Sequence, residues 1–262
     1  MTVLLARGRY RARLAETAAD LRAAQALRYL VFVERGGARP RTGGLDADTF
    51  DDRCQHVLIE KVAEGALVGC FRLLATTGAG ISDSYAAQHY DLTRLTGFAG
   101  PMSEIGRFCI RPDVHDPDVL RVAWGAITRH VDANAVGFLF GCASFAGIDP
   151  SRYGAAFDLL AARHSAPATL APGIGAMRVC PFGTARAPSG TARAVDAAAA
   201  MAQMPPLLRT YLAMGGWVSD HAVIDPEMNT LHVFTGVEIA AIPPARARSL
   251  RMIAGGDAVA AQ

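Results

Sequence analysis

Lysine is almost missing from this chain of 262 residues: Lys61 stands alone, and the rest of the basic charge is arginine. Arginine's planar fork suits bidentate contact with carboxylates and phosphates, although a skewed genome composition gives the same bias. The formal net charge is only +2, so there is no basic excess to point to nucleic acid. Cysteine is also sparse. Cys54, Cys70, Cys109, Cys142 and Cys180 are odd in number and contain no C-x-x-C pair. That pattern excludes a disulfide framework and a thiolate metal site, and predicts reduced thiols in a cytoplasmic protein with no metal.

Long apolar runs are absent too. The longest charge-free stretch near the middle, Ala135 to Ile148, has 14 residues and three glycines, short of the roughly 20 that a spanning helix needs. The opening "MTVLLARGRYRARLAET" is broken by arginines where a signal peptide needs an unbroken apolar stretch, so it is read as the start of the fold. Any membrane contact is therefore expected to be peripheral, at the inner face.

What is present is enough apolar residue for a core: 51% hydrophobic against 19% charged. "RYRARLAE" (9–16) alternates with a period of two, as a strand does, and the spacing of Leu21, Ala24, Leu27 and Val31 predicts a helix from Thr17 to about Glu34. A Gly/Pro/Asp-rich loop follows at 36–54, of a length usually tied to function. "HVLIEKV" and "ALVGCFRLL", joined through Gly65, read as a hairpin, and 102–111 as the next strand. Asp116-Pro117 opens a helix running to about Val131. "FLFGCAS" (138–144) reads as a buried strand, Pro150 begins another helix, a short helix precedes Gly215-Gly216, and "TLHVFTGVEI" (230–239) is a late strand. Residues 165–206 are poorly patterned apart from a helix near 193–203, and a mobile tail is expected after Pro243. The order predicts one mixed α/β domain over 1–262, with helices on both faces of its sheet.

"MSEIGRFCIRPD" (102–113) raises the functional question, because Glu104 and Arg107 stand in an otherwise apolar strand. A buried charge costs several kcal/mol unless paired, so such groups are kept for packing or for chemistry. Arg72 in "GCFRLL" needs an anion for the same reason. Gly106 between Glu104 and Arg107 suggests a bulge, which would free a backbone N–H to polarise a carbonyl oxygen. The competing reading is an internal ion-pair network among Arg28, the loop acids Asp46, Asp48, Asp51 and Asp52, Arg72, Glu104 and Arg107.

Those residues carry a resemblance. "ALRYLVFVE", "DADTFDDRCQHVLI", "LVGCFRLL" and "SEIGRFCIRPD" together resemble the acyl-transferring branch of the GNAT superfamily, shared by acyl-homoserine-lactone synthases and ornithine-lipid synthases. Arg28, Phe32, Asp48, Asp51, Arg72, Glu104 and Arg107 match its pattern. The tryptophan usual in the lactone synthases after the first helix is missing, since "ERGGARPR" stands there. The segments 145–167 and 204–239 resemble the second half of ornithine N-alpha-acyltransferases. The resemblance implies a GNAT-like, largely antiparallel sheet and transfer of a 3-hydroxyacyl group from acyl carrier protein to the alpha-amine of ornithine, giving lyso-ornithine lipid.

On that resemblance Glu104 is the expected base, Asp48 and Asp51 the partners of the ammonium groups, and Arg72 or Arg107 the holder of the carboxylate. Phe32, Phe108 and Trp124 are expected to line the site, and Phe138, Phe140 and Phe145 are further candidates for an acyl slot. The acetyltransferase pyrophosphate loop is not found after "CIRPD", which favours a carrier-protein donor and no separate cofactor. Arg7, Arg9, Arg11 and Arg13, or Arg246, Arg248 and Arg251, are the basic patches for an acidic carrier protein or an anionic membrane. A lactone synthase and a non-catalytic acyl-binding protein are the alternatives.

Overall fold

In the computed structural model, residues 1–183 and 197–255 are described. The strands are β1 (Val3–Arg7), β2 (Tyr10–Leu14), β3 (Gln55–Lys61), β4 (Leu67–Thr77), β5 (Tyr90–Asp91), β6 (Pro101–Ile110), β7 (Phe138–Ala146), β8 (Gly173–Ile174), β9 (Val179–Pro181), β10 (Trp217–Val218), β11 (His221–Asp225) and β12 (Thr230–Glu238). The α-helices are α1 (Ala18–Arg28), α2 (Pro117–Ala133), α3 (Gly154–Arg163), α4 (Ala197–Gln203), α5 (Pro206–Ala213) and α6 (Pro244–Gly255). One sheet runs β1-β2-β3-β4-β6-β7-β12-β11-β9, with β10 beside β12. Every pairing in it is antiparallel except β6 with β7.

Local signals explain the ends of its elements. Thr17 accepts from the N–H of Asp20 while the Asp20 carboxylate accepts from the N–H of Thr17, a reciprocal cap that starts α1. α1 passes at Tyr29 into a wider π-type turn that ends at Arg35, so the predicted helix is present with a changed pitch. Asp116 caps α2 through the N–H of Asp118, with Pro117 at the first helical position.

Alternation along the strands decides which helix covers which face. Phe71, Leu73, Ile105 and Leu139 pack with Val119, Val122, Ala123 and Ile127 of α2. Ala143, Phe145 and Val233 meet Phe157 and Leu160 of α3 and Leu208 of α5 on that same side. The opposite face takes α1, through Ala24 and Leu27 against Leu58 and Cys70, and then the short turns between β4 and β6. Helices thus cover both faces, as the sequence predicts.

Two expectations are corrected. In the tail expected to be mobile, residues 256–262 lie outside the described residues and residues 244–255 form α6, with Leu250 and Ala254 buried. Its end is held by the Arg129 guanidinium, which donates to the carbonyls of Ala254 (2.6 Å) and Gly255 (3.2 Å). Within 165–206 the described residues supply β8, β9 and α4, and the first part of the helix predicted near 193–203 lies outside the described residues.

Candidate active site

The centre of the site is a defect in the sheet. β6 follows β4 in register as far as Arg72 opposite Gly106, and the next rung pairs Cys70 with Cys109. Arg107 and Phe108 therefore stand opposite Phe71 alone, which makes the bulge anticipated at Gly106. Arg107, not the glycine, takes the left-handed conformation (φ 51°), and Phe108 stacks on Phe71 with centroids 5.5 Å apart. A non-glycine residue held there stores strain of about 1 kcal/mol or more, and its ion pairs hold it in place.

On its other side β6 pairs with β7 only from Met102 to Ile105, and the last rung is Ile105 with Gly141. A Cβ on Gly141 would collide with the carbonyl oxygen of Ile105, so glycine permits the closest approach just before the strands part. Gly141→Ala is expected to destabilise the protein by about 1–3 kcal/mol, measured as the shift in urea midpoint.

Beyond that rung lies a cavity of about 260 Å³. Ile105, Gly106, Arg107 and Phe108 form one wall, and Cys142, Ala143 and Ser144 the other. Consecutive strand residues point to opposite faces, so a cavity touched by all of them lies between the strands and opens through the sheet. Phe108, Leu207 and Tyr211 line its side toward α5. His232, Thr230 and Asp225 line the other side, and Asp225 is the one carboxylate among the described lining residues. A second cavity of about 220 Å³ adjoins it, sharing Tyr85, Arg107, Asp225 and Met228 and adding Asp48, Gln88 and His89.

The predicted charged residues separate into two groups. Arg28 is 1% exposed and donates from Nε to Asp46 (2.9 Å) and from Nη1 to Asp51 (2.8 Å). Arg72 meets Asp48 (2.5 Å) and Asp51 (2.8 Å), and Arg107 meets Asp46 (3.0 Å) and Asp48 (3.1 Å). Three arginines and three aspartates thus form one network that fastens the 36–54 loop to β4, β6 and α1. Burial works to raise the Asp51 carboxyl, but the Arg28 and Arg72 guanidiniums outweigh it and hold the group well below the usual carboxylate range.

This setting changes the expected roles of Asp51 and Arg72. Asp51 is paired with Arg28 and Arg72, Arg72 with Asp48 and Asp51, and neither lines the two cavities. Asp48 reaches the smaller cavity while bound to both arginines. Arg107 lines both, and its Nη1 takes no part in the ion pairs.

Glu104 stands apart from the network and makes no ion pair with Arg72 or Arg107 among the described residues. It is 3% exposed, and its two carboxylate oxygens accept from the backbone N–H groups of Tyr85 (2.8 Å) and Ala86 (2.7 Å). Burial pushes its carboxyl up to about 7, against the pull of those two N–H groups and of Arg72 and Arg107. It does not itself line the cavity, although Gly106, two residues on, does.

Among the aromatic candidates, Phe32 and Phe108 line the cavity as expected. Trp124 is instead core, edge-on to Tyr211 with centroids 5.2 Å apart. Phe138 and Phe140 pack with Trp217 and Phe234, and Phe145 with Phe157, so none of the three belongs to the cavity. Of the basic patches, Arg9, Arg11, Arg13 and Arg251 are paired with Asp116, Glu60, Glu60 and Asp132 respectively. No helix among the described residues is long and apolar enough to cross a membrane.

Sequence reasoning passed over Tyr85, His89, Asp225 and His232. The Asp225 carboxylate accepts from the N–H groups of Glu227 (2.9 Å) and Met228 (3.1 Å), fixing the turn before β12. The only sequence signal for His232 was the alternation of "TLHVFTG", which puts it on a buried face.

The mixed sheet, with its bulged strand parting from a parallel neighbour around a cavity, is GNAT-like, as the match of the acetyltransferase (GNAT) domain family to residues 27–125 bears out. The chain belongs to the L-ornithine N(alpha)-acyltransferase family and is an acyltransferase. It is 35% identical over 234 residues to the enzyme of that name from Rhodobacter capsulatus, covering 86% of this chain and 88% of that protein. It is 31% identical over 240 residues to the Brucella abortus enzyme, covering 87% and 83%. Among solved structures, FeeM, an N-acyl amino acid synthase from uncultured soil microbes, aligns over 94% of this chain and 97% of its own with 11% identity and a TM-score of 0.46.

Proposed function

We propose that this protein transfers a 3-hydroxyacyl group from acyl carrier protein to the alpha-amine of ornithine, giving lyso-ornithine lipid. The observation that carries the reading is the cavity between β6 and β7, apolar toward α5 and charged on the opposite side. An acyl thioester reaching the gap lays its chain against Phe108, Leu207 and Tyr211. Its carbonyl oxygen faces the backbone of Gly106–Phe108, which has no partner strand on the β7 side. Arg107, with Nη1 outside the ion pairs, is placed for the amino acid's carboxylate.

The alpha-amine arrives protonated and must lose a proton before its lone pair can attack. Glu104 is assigned as the acceptor of that proton, relayed past Gly106 from the gap it does not itself line, because a carboxyl near 7 is both available as base and strong enough to be useful at neutral pH. The new C–N bond forms as the C–S bond breaks, and the sulfur leaves on the carrier's pantetheine arm as a thiol. A direct attack is preferred to a cysteine route: Cys142 is the one cysteine lining the gap, and burial holds its thiol well above the ordinary value.

Free coenzyme A is disfavoured as donor by the start of α2. There Asp116 already takes the N–H of Asp118, and Asp118 adds a second negative charge. Of the candidate arginines without an ion pair among the described residues, Arg7 and Arg248 are exposed and Arg246 is half-buried; the exposed ones are offered to the acidic carrier, or to an anionic membrane from the cytoplasmic side.

The test is incubation of the purified protein with 3-hydroxyacyl carrier protein and ornithine, following thioester loss and identifying the product by mass. Ornithine-dependent loss with an N-hydroxyacyl-ornithine product is expected. A lactone product, or thioester loss indifferent to ornithine, would contradict the reading.

A further inference from the structure

Ornithine carries a second ammonium on its side chain, and the network of arginines and aspartates described above leaves no spare acid for it. The main cavity offers one carboxylate, Asp225, which also lines the smaller cavity. A ligand atom each from His89, Asp225 and His232 lies within 4.8 Å of the other two. The Nε2 atoms of both histidines are buried and have no hydrogen-bond partner among the described residues, and His232 is 2% exposed. Orphaned polar atoms of this kind, facing a half-used carboxylate, are costly unless something occupies the space between them.

The tautomer of His232 can be assigned from its neighbours. The Tyr90 hydroxyl donates its single hydrogen to the His232 carbonyl (2.8 Å) and lies 3.1 Å from Nδ1 of the same residue. Toward Nδ1 that oxygen can therefore only accept, which puts the ring proton on Nδ1 and leaves a lone pair at Nε2. Burial also keeps the ring neutral, holding its pKa down at about 3. The site thus presents one negative oxygen, the Nε2 lone pair of His232 and a second imidazole, His89, that burial also keeps neutral.

We propose that Asp225, His89 and His232 form the seat of the acceptor's side-chain ammonium, each taking one of its three N–H donors, an inference that rests on ornithine being the acceptor. A metal would set a different spacing. A nitrogen about 2.9 Å from each of three acceptors at tetrahedral angles sets them about 4.7 Å apart. A zinc ion at about 2.1 Å would draw them to about 3.4 Å. The observed separations reach no more than 4.8 Å, which accommodates the first figure, and chelation separates the two cases. Arg107 on the β6 wall then receives the carboxylate, so the two ends of the amino acid are held apart and the alpha-amine is turned toward the bulge.

The test compares kcat/KM for L-ornithine and for L-norvaline, which has the same carbon chain without the side-chain nitrogen, with hydroxyacyl carrier protein as donor. Wild type is expected to prefer ornithine by about a hundredfold or more. Asp225→Asn keeps the oxygen that accepts from Glu227 and Met228, and His89→Leu lies outside that turn, so the pair separates a seat effect from misfolding. Each is expected to cut the preference about tenfold or more, mainly through KM for ornithine. An unchanged preference in both variants overturns the seat, as does a wild type that acylates both amino acids equally well. Tight, stoichiometric zinc, with transfer lost on chelation and regained on adding zinc, also overturns it. A wild type that acylates neither amino acid overturns the ornithine reading itself, which is a separate result.

Discussion

Glu104→Gln is expected to lower transfer at pH 8 by about 10²- to 10⁴-fold, the range a positioned proton acceptor contributes. The wild-type rate should rise with pH and level off above about 7, where burial has placed the carboxyl. The variant should lose that inflection, because an amide at this position does not titrate. Stability gives an independent check. A carboxyl raised from its ordinary 4.5 to about 7 on folding favours the folded state fully below about pH 4.5, and that contribution is lost as pH rises through 7. The difference amounts to about 3 kcal/mol. Urea unfolding at pH 5 and pH 8 should therefore show the variant gaining on wild type at the higher pH. The Asp48 and Asp51 carboxyls are held below their usual values, so their loss of stability belongs to more acid solution and does not confuse the comparison. A variant with near-normal turnover and an unchanged profile would remove Glu104 as base and leave it a cap for the turn at Tyr85 and Ala86.

Arg28→Met is expected to destabilise by about 3–5 kcal/mol in urea unfolding, because two buried aspartates lose their shared counter-charge. Arg28 donates to both oxygens of Asp51, to Asp46 Oδ2 and to the Asp46 carbonyl. Asp51 would keep Gln25 and Arg72, but Asp46 would depend on Arg107 and the partly exposed Arg41. The loosened 36–54 loop would then release Arg107 from its left-handed conformation, and transfer should fall along with stability. Arg251→Ala, which breaks an exposed pair with Asp132, should cost less than about 1 kcal/mol. Equal costs for the two substitutions would show that the buried network does not hold the loop.

The parts of this fold legible in the sequence are those with local chemistry. Asp116-Pro117 marks the start of α2, the two apolar runs around Gly65 mark the hairpin, and Gly106 beside charged neighbours marks the bulge. The bulge residue was misassigned by one position, since ion pairs to Asp46 and Asp48 hold Arg107, rather than the glycine, in the left-handed region. Residues 75–101 carried no periodicity because they are broken into short 3₁₀ turns (78–83, 86–88 and 93–95) and loop, yet they supply the N–H partners of Glu104 and the imidazole of His89. Asp225 and His232 stand on the neighbouring hairpin strands β11 and β12, but His89 is far from both in sequence and only the tertiary fold brings its turn to them. Arginine at alternate positions also hid α6, whose apolar stripe is as narrow as Leu250 and Ala254.

The claim on which the rest stands is that thioester and amine meet where β6 leaves β7. It is tested most directly by difference density from crystals soaked with a hydroxyacyl-pantetheine thioether and ornithine. The expected density runs through the sheet, with the acyl chain against Phe108 and Leu207 and the amino acid between Arg107 and Asp225. Both molecules bound elsewhere, with that gap unfilled, would contradict the account.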